Sequence, residues 1–508
     1  MDIKNKHRSK RFKSKKLYMS YFKALKTLNN KSTLDFYNAV YKAMRKNKPH
    51  FNEPDKENVI PIDAEKPDEG SLSTVDNSNF IIDNSNVIID NSNFLIANGH
   101  DIYNYVARYG LANFQLQAVL KLNGKLDFAK LSEAARLSIE EEPVFKCRFV
   151  EGNPPYWKRE ESIDQSALCS FEAVNNTEEA VQRFLESSLD MDNDPMIKIR
   201  LICSEAHDTL CIKFNHACCD GIGTKEYLQL LSKIYSALDS ENGIFIPIPK
   251  TRGRIDQDRL FKELGITDQE AMWIPGSDIS TPTWAFPWKH GTSNDIRVVV
   301  SSLSAGQLDE MKIFGKSRKV TINDIILAAY YRAMLKTGEP AYAIPMEVPV
   351  TIDLRRHLPD HKTEAIRNFS GSANTRITMM ESDSFDDTLS KVANAMNDIK
   401  SHYPGLQSAI GLERLEKISF QETLNYYQAT KECPVYYGDK CVPTLSNLGF
   451  ISDSKIKFGK IVATDAYIVP PVVRAPGLLL MVSTYNGILT LAAGYYEGTV
   501  LRDDVDRI

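Results

Sequence analysis

The sequence predicts an α+β fold for the part of the chain that begins near residue 110. Two blocks of strand-like and helix-like segments support this prediction, one over residues 114–238 and one over residues 296–496. A chain of 508 residues is too long for one ordinary core. We therefore expect about two to four domains, or two lobes with extensions.

The first block begins with a strand over 114–122, which an Asn-Gly turn closes. A helix follows, because Phe128, Leu131, Ala135 and Ile139 recur at helical spacing. Segments 196–203 and 210–215 are predicted to pair as strands around the turn at 205–208. A second helix is expected to run to about Leu238.

The second block follows residues 241–295, which are rich in Pro, Gly and Trp and are predicted to form a long connection. The predicted elements after the connection are a helix over 322–335, an extended segment over 346–354, a helix over 384–399 and strands within 478–496. The predicted organisation is thus an N-terminal lobe with its connection over 100–290 and a C-terminal lobe over 291–508.

The first 48 residues are strongly basic, although the whole chain has a net charge of −4. Their only acids are Asp2 and Asp35, and apolar residues recur at helical spacing over 17–28 and 34–44. We interpret residues 1–50 as a basic amphipathic helical arm. Such an arm can make a peripheral membrane contact, bind an acidic partner, pack on its own domain or remain solvated. It has no recognisable reader motif, so specific binding of nucleic acid is not expected.

A Pro- and acid-rich stretch and a tandem repeat make residues 51–99 a predicted linker. The seven-residue repeat starts at Asp76, Asp83 and Asp90, with Asp-Asn-Ser-Asn followed by three apolar residues. Three such copies are too short for a stable solenoid. A loose linker and a small stacked-turn array both stay open.

Composition excludes several classes of protein. We find no run of about 18 apolar residues and no apolar h-region near the N-terminus, so neither a spanning helix nor a secretory signal is expected. The eight cysteines form no Cys-x-x-Cys pair and no zinc-type cluster. We therefore expect reduced thiols, no metal site and a cytoplasmic protein, with membrane association as the alternative that the basic arm leaves open.

The most informative motif is Asn-His-Ala-Cys-Cys-Asp-Gly at residues 215–221, between a predicted strand and a predicted helix. Imidazole is the natural base for a hydroxyl or amine near neutral pH, which makes His216 the candidate general base. Cys218 and Cys219 would permit a covalent mechanism with His216, but nothing else marks them as activated. Asp220 would either orient the histidine or stabilise the loop through a buried ion pair.

Strand parity predicts the direction of His216. Leu210, Ile212 and Phe214 fall on one face of the predicted strand, and His216 continues that apolar face. We therefore expect His216 to point inward and Asn215 to point away from it.

Four further segments, in order along the chain, accompany the motif. Residues 114–149 contain the opening strand and helix, residues 348–356 read Val-Pro-Val-Thr-Ile-Asp-Leu-Arg-Arg, residues 366–371 read Ile-Arg-Asn-Phe-Ser-Gly, and residues 446–449 read Ser-Asn-Leu-Gly. With the motif, they resemble the condensation-domain and chloramphenicol-acetyltransferase-like superfamily of acyltransferases with its HHxxxDG motif. The match covers roughly residues 110–500, and the chain is similar to stand-alone members such as polyketide-associated acyltransferases and alcohol acetyltransferases.

The resemblance implies two chloramphenicol-acetyltransferase-like lobes with a central tunnel and His216 at its middle. It also implies that Asp220 and Gly221 are structural and that Asp220 pairs with Arg355, or else with Arg356. Ser446 and Asn447, and Asn368 in the "GNFsg"-like segment, are implied oxyanion or substrate contacts.

The chain departs from the family pattern at two positions. Asn215 replaces the first motif histidine, and Arg367 replaces the usual glycine before Asn368.

The function implied is acyl transfer from an acyl-CoA or acyl-carrier-protein thioester, as co-substrate, to a hydroxyl or amine of a small molecule. No bound cofactor is expected. The alternative is a non-catalytic scaffold of the same fold, docked to a membrane or partner through the basic arm.

Overall fold

The structure is a computed structural model of the chain and describes residues 94–241, 243–250, 255–274, 282–289, 294–338, 341–432 and 440–508. The predicted basic arm over 1–50 with its membrane contact, and the linker with its repeats up to residue 93, lie outside the described residues. The apolar triplet of the third repeat forms the first described strand, Phe94–Ile96.

The described residues form both strands and α-helices. The strands are β1 Phe94–Ile96, β2 Gln115–Leu122, β3 Cys147–Val150, β4 Tyr156–Arg159, β5 Cys169–Ala173, β6 Ile197–Cys203, β7 Asp208–Asn215, β8 Ile296–Leu303, β9 Pro345–Asp353, β10 Ser370–Thr378, β11 Thr444–Phe450, β12 Lys457–Phe458, β13 Ile461–Val469, β14 Leu479–Tyr485 and β15 Ile488–Tyr496. The helices are α1 Gly99–Val106, α2 Phe128–Glu141, α3 Gln165–Leu168, α4 Thr177–Glu186, α5 Gly221–Leu238, α6 Ile255–Glu263, α7 Gln269–Met272, α8 Ala305–Arg318, α9 Ile322–Gly338, α10 Phe385–Ser401, α11 Leu406–Glu413, α12 Phe420–Glu432 and α13 Arg502–Asp506.

Two six-stranded sheets define two lobes, which confirms the predicted α+β, two-lobed fold class. The sheet of the first lobe has the order β12-β13-β2-β7-β6-β5, and the sheet of the second lobe has the order β10-β9-β11-β14-β15-β8. The predicted pair of strands before the motif is β6 and β7, which run antiparallel with Ile199 opposite Ile212. In the second sheet, β11 runs parallel to both of its neighbours, β9 and β14.

The first sheet takes strands from far along the chain. β13 pairs antiparallel with β2, with Tyr467 opposite Val119, and β12 pairs with β13. The predicted division into 100–290 and 291–508 follows the chain, whereas residues 457–469 of the later part complete the sheet of the earlier part. A strand that crosses between lobes is not visible in local sequence pattern, because periodicity reports burial and not the partner of a strand.

Apolar residues from both sheets share one core cluster. Val119 and Cys211 of the first sheet pack there with Val298 and Tyr496 of the second sheet. Helix α5 covers the opposite face of the first sheet, where Tyr227 packs edge-on against Phe214 at 5.4 Å. Strand β7 is therefore buried on both faces along its whole length. Burial on both faces explains why parity alone could not separate an inner from an outer face here.

The predicted long connection contains more regular structure than the sequence suggested. Helix α6 buries Leu260 and Phe261 within it, and these two residues pack into two small apolar clusters with residues of the second lobe. In the described ranges, no helix is long and apolar enough to cross a membrane.

Candidate active site

The motif forms a short loop between the end of β7 and the start of α5. Asn215 Oδ1 accepts a hydrogen bond from the N–H of Ala217 at 3.0 Å, which turns the chain out of the strand. Asp220 is the N-cap of α5, and its Oδ1 accepts from the N–H of Gly223 at 2.7 Å. His216 lies in the loop between Asn215 and Asp220.

Main-chain contacts fix the position of His216. Its N–H donates to the carbonyl of Phe114 at 2.8 Å, just before β2. Phe114 has a φ of +46°, which is rare for a residue with a side chain, and its ring centre lies 5.8 Å from the imidazole. His216 as a whole residue is half-buried, whereas the strand residues before it are buried.

Asn368 of the second lobe determines which nitrogen of His216 carries the proton. Asn368 Nδ2 donates to the carbonyls of His216 at 2.9 Å and Ala217 at 2.8 Å. These bonds orient the amide so that its Oδ1, which can only accept, lies 3.2 Å from His216 Nδ1. We therefore assign the hydrogen to Nδ1, which leaves the lone pair of the neutral imidazole on Nε2, while main-chain groups of His216 and Cys219 also contact the ring.

The electrostatic environment favours neutral imidazole. Burial lowers the pKa of His216, because the imidazolium loses hydration, and this effect outweighs the charge of Asp220 and the hydrogen bonds that oppose it. A neutral histidine with a free Nε2 is the form that a general base requires at neutral pH.

Asp220 is held by a buried ion pair with Arg355, the partner that the family resemblance implied. Arg355 Nη1 lies 3.0 Å from Asp220 Oδ2, and the two side chains are 1% and 3% exposed. The same Oδ2 also accepts from the N–H of Phe369 at 2.8 Å and from Ser370 Oγ at 2.7 Å. Burial alone would raise the pKa of Asp220, but Arg355 and these hydrogen bonds hold it well below its usual range.

Arg355 contacts three further residues besides Asp220. Its Nη2 donates to the carbonyl of Arg367 at 3.0 Å, and its Nη1 contacts Asp353 at 3.2 Å. Glu226 of α5 lies 3.5 Å from Nε. Burial raises the pKa of Glu226 to about 7, and Asp220 and Asp353 add to this effect against the attraction of Arg355. Arg356, the other arginine considered from the sequence, is exposed.

Two glycines at the start of α5 permit close packing between the lobes. A Cβ on Gly221 would lie 2.5 Å from Leu448 Cδ2. A Cβ on Gly223 would lie 3.0 Å from Ile366 Cγ2 and 3.3 Å from the carbonyl of Arg367. Larger residues at these positions would push the motif helix away from the second lobe.

Ser446 and Asn447 lie on β11, next to this junction. Ser446 Oγ lies 3.0 Å from Thr351 Oγ1, and Asn447 Nδ2 donates to Asn323 Oδ1 at 3.0 Å. These two residues therefore contact β9 and α9. The His216–Asn368 contact and the Asp220–Arg355 pair are instead linked through the main chain on either side of Asn368, because Arg355 donates to the carbonyl of Arg367 and Asp220 accepts from the N–H of Phe369.

The motif cysteines are not arranged as nucleophiles. Both are fully buried, and Cys218 Sγ donates to the carbonyl of Asn215 at 2.8 Å. Burial raises the pKa of the Cys219 thiol well above its usual value. A thiol that stays protonated at neutral pH does not favour the covalent alternative.

Sequence reasoning missed a second buried ion pair beside the site. Arg367 Nη1 lies 2.7 Å from Asp256 of α6, with side chains 1% and 0% exposed. The departure from the family glycine at 367 is thus matched by an acid in the connection. A partial sequence signal was present: Leu260, Phe261 and Leu264 have helical spacing, although residues 241–295 were predicted only as a long connection.

His100 is a second buried histidine that the sequence did not mark. It stacks on Phe369 with ring centres 6.1 Å apart. Burial lowers the pKa of His100 to about 4, so it is neutral at physiological pH. In the part of the chain that the structure describes, no group of three or more His, Cys, Asp or Glu side chains could hold a metal ion.

We compared the chain with known protein families and proteins. The family model of the condensation domain matches residues 111–430. Surfactin synthase subunit 1 of Bacillus subtilis (strain 168) is 24% identical over 225 residues, which are 43% of this chain and 6% of that protein. The chain thus spans only a small part of that relative's length.

Solved structures with the same fold were also found. The TRI3 trichothecene 15-O-acetyltransferase of Fusarium sporotrichioides has a TM-score of 0.61 at 15% identity, over 82% of this chain and 92% of that one. A mutant starter condensation domain of rhizomide synthetase, in complex with C8-CoA, has a TM-score of 0.57 at 12% identity, over 81% and 91%. At these identities the likeness shows the shared fold.

Proposed function

Because this chain belongs to the condensation-domain family, we propose that it is an acyltransferase that uses His216 as its general base. The donor would be an acyl thioester of CoA or of a carrier protein, and the acceptor a hydroxyl or amine of a small molecule. The observation that carries the proposal is His216 itself, whose pKa is lowered by burial and whose Nδ1 lies 3.2 Å from Asn368 Oδ1, an arrangement that favours a lone pair on Nε2.

In the proposed reaction, Nε2 of His216 takes the proton from the acceptor as its oxygen or nitrogen attacks the thioester carbonyl. The tetrahedral intermediate then collapses, the carbon–sulfur bond breaks, and the proton on Nε2 passes to the departing thiolate. No covalent acyl-enzyme is required, because a thioester is already activated toward attack. This fits a site with one histidine and two buried cysteines.

The intermediate carries an oxyanion, which needs a donor. We assign this role to Ser446, because its hydroxyl can receive a hydrogen bond from Thr351 and then donate its own hydrogen to substrate. Asn447 would orient the adjoining turn through its bonds to Asn323 and the N–H of Gly449. Both N–H donors of Asn368 are engaged by carbonyls, which favours a positioning role over an oxyanion contact for that residue.

Asp220, Gly221 and Arg355 would act structurally. The ion pair and the close approach at Gly221 join the motif to the second lobe, which supplies Asn368. This arrangement gives the intact motif a purpose in catalysis, and it argues against the alternative of a non-catalytic scaffold.

The test is release of free thiol by the full chain from acetyl-CoA, octanoyl-CoA and acyl-pantetheine, each with a panel of alcohols and amines. We expect at least one pair to turn over, and His216→Ala to reduce release by about 10²- to 10⁴-fold. His402→Ala, at an exposed histidine, is the matched control and should behave as wild type. Equal release by wild type and His216→Ala, with both proteins folded, would contradict the role of His216.

A further inference from the structure

A polar cavity of about 740 Å³ lies on helix α5, away from its N-terminal end. One wall is a face of α5 that includes Ser232, Lys233 and Ser236, and the other wall is the segment 452–457 between β11 and β12. We call it the lysine cavity, because Lys233, Lys455 and Lys457 line it.

The lysine cavity carries an excess of positive charge in a chain whose net charge is −4. Its lining residues include these three exposed lysines and one acidic residue, Asp453. Within the described ranges, none of the three lysines forms an ion pair with an acidic side chain; the ammonium of Lys233 lies 5.8 Å from the ring centre of Phe245. These groups therefore keep donors available for a ligand.

The walls of the cavity are fixed by hydrogen bonds. Ser236 Oγ donates to the carbonyl of Lys457 at 2.9 Å and accepts from the N–H of Gly459 at 2.9 Å. Lys225 Nζ donates to the carbonyls of Leu448 and Phe450 at 2.8 and 2.9 Å, at the end nearer the motif. The segment after β11 is thus tied to α5 above and below the cavity.

The same stripe of α5 joins the cavity to the motif. Gly221, Lys225, Gln229, Ser232 and Ser236 recur at intervals of three and four residues, so they lie on one face of the helix. At about 1.5 Å per residue, Ser232 lies about 16 Å along the axis from Gly221. A ligand in the cavity would therefore be held at a fixed distance from His216.

Ammonium groups around a water-accessible polar cavity suit a compact anion with more than one charge, and phosphate is that anion. The lining is too polar for an acyl chain, since Ile456 is the one apolar residue in it. We propose that the lysine cavity binds a phosphate group of the acyl donor. This inference depends on the proposed function, which supplies two sources: the nucleotide phosphates of CoA and the phosphate of a carrier protein's phosphopantetheine.

The test measures binding and not turnover, so it separates this proposal from the catalytic one. The full chain is titrated calorimetrically with CoA, 3′-dephospho-CoA and 4′-phosphopantetheine. Lys455→Glu/Lys457→Glu is compared with Lys316→Glu/Lys319→Glu, an equal change of charge at exposed lysines of the second lobe. We expect the cavity variant to bind CoA about tenfold or more weakly and the control to bind as wild type.

The ligands distinguish the source of the phosphate. If the nucleotide occupies the cavity, wild type should bind dephospho-CoA more weakly than CoA. The cavity variant should then bind dephospho-CoA and CoA with equal affinity. If the phosphopantetheine phosphate occupies it, the cavity variant should lose affinity for all three ligands alike. Unchanged CoA affinity in a folded cavity variant would overturn the proposal, and so would failure of wild type to bind any of the three. Neither result would change the expected outcome of the thiol-release test of His216.

Discussion

Two buried arginine–aspartate pairs lie near Asn368, and their acids differ in the hydrogen bonds that they accept. Asp220 in the first pair also accepts from the main chain at Phe369 and Gly223 and from Ser370. Asp256 in the second pair accepts from Arg367 and from the half-buried N–H of Glu364, and the partly exposed Arg259 lies 3.8 Å from its Oδ1. The first pair thus organises the motif and the second lobe together, whereas the second anchors the connection to the turn before Asn368.

The two pairs meet at one residue, Arg367. Arg355 Nη2 donates to the carbonyl of Arg367, so the residue before Asn368 contacts the first pair through its main chain and the second through its side chain. Both pairs are costly to desolvate, and we infer that the first is harder to replace because its acid accepts from more buried donors.

The largest expected effect is that of Asp220→Ala. It leaves Arg355 buried without its main partner and removes the acceptor of three other donors, so we expect a loss of about 3–5 kcal/mol in the free energy of unfolding. Denaturant unfolding measures it. The double variant Asp220→Leu/Arg355→Leu should not recover stability, since Phe369 and Gly223 still lack an acceptor.

The first pair also has a pH signature. The pKa of Asp220 is depressed in the folded state, so its contribution is fully present above the unfolded value of about 4 and is lost as pH falls toward the folded pKa. The stability gap between wild type and Asp220→Ala should therefore narrow below pH 4. A gap that widens on acidification would show that Asp220 is not stabilised as a carboxylate.

The second pair should behave differently in the same experiment. Asp256→Ala leaves Arg367 buried and should cost about 3 kcal/mol or more. The double variant Asp256→Leu/Arg367→Met should regain most of that loss, because apolar residues can replace a buried pair that serves few other groups. A double variant as unstable as Asp256→Ala would remove the distinction between the pairs.

Asn368 lies between the pairs, and its effect is on pH dependence. The acid limb of kcat/KM for wild type should lie below the ordinary histidine pKa of 6.5. Asn368→Asp places a carboxylate beside Nδ1 and should raise that limb by about one unit or more. Asn368→Ala, the control without charge, should lower kcat without raising the limb. If the acid limb of kcat/KM in Asn368→Asp lies at the wild-type pH, residue 368 does not contact Nδ1 of His216 during catalysis.

The smallest effect concerns the packing between the pairs. Gly223→Ala places a methyl group 3.0 Å from Ile366 Cγ2 and should cost about 1–3 kcal/mol of stability. Gly306→Ala, in α8 where nothing lies within 4 Å of the added atom, should instead stabilise by about 0.4–1 kcal/mol. Thermal unfolding compares the two; an equal effect would mean that the contact at Gly223 is not limiting.

Much of this arrangement could be predicted from the sequence because its signals are local. The strand before the motif, the Asp220 cap and helix α5 each follow from patterns within about ten residues. The family resemblance supplied Arg355, which no local pattern connects to Asp220. The Asp256–Arg367 pair and the crossover of β13 escaped prediction because each depends on a distant partner.

The direction of His216 shows the same limit. Parity along β7 assigns alternate residues to two faces, but both faces are buried in this fold. What sets the tautomer of His216 is an amide 152 residues later in the chain. Only the assembled lobes bring these two side chains together.

The proposed chemistry depends most on Asn368, which we infer holds His216 as a neutral imidazole with its lone pair on Nε2. Nitrogen NMR of ring-labelled histidine at pH 7, with His216 assigned by its loss in His216→Ala, measures this directly. We expect a neutral His216 ring with hydrogen on Nδ1 and a pKa below 6.5. A charged ring at pH 7, or hydrogen on Nε2, would contradict it.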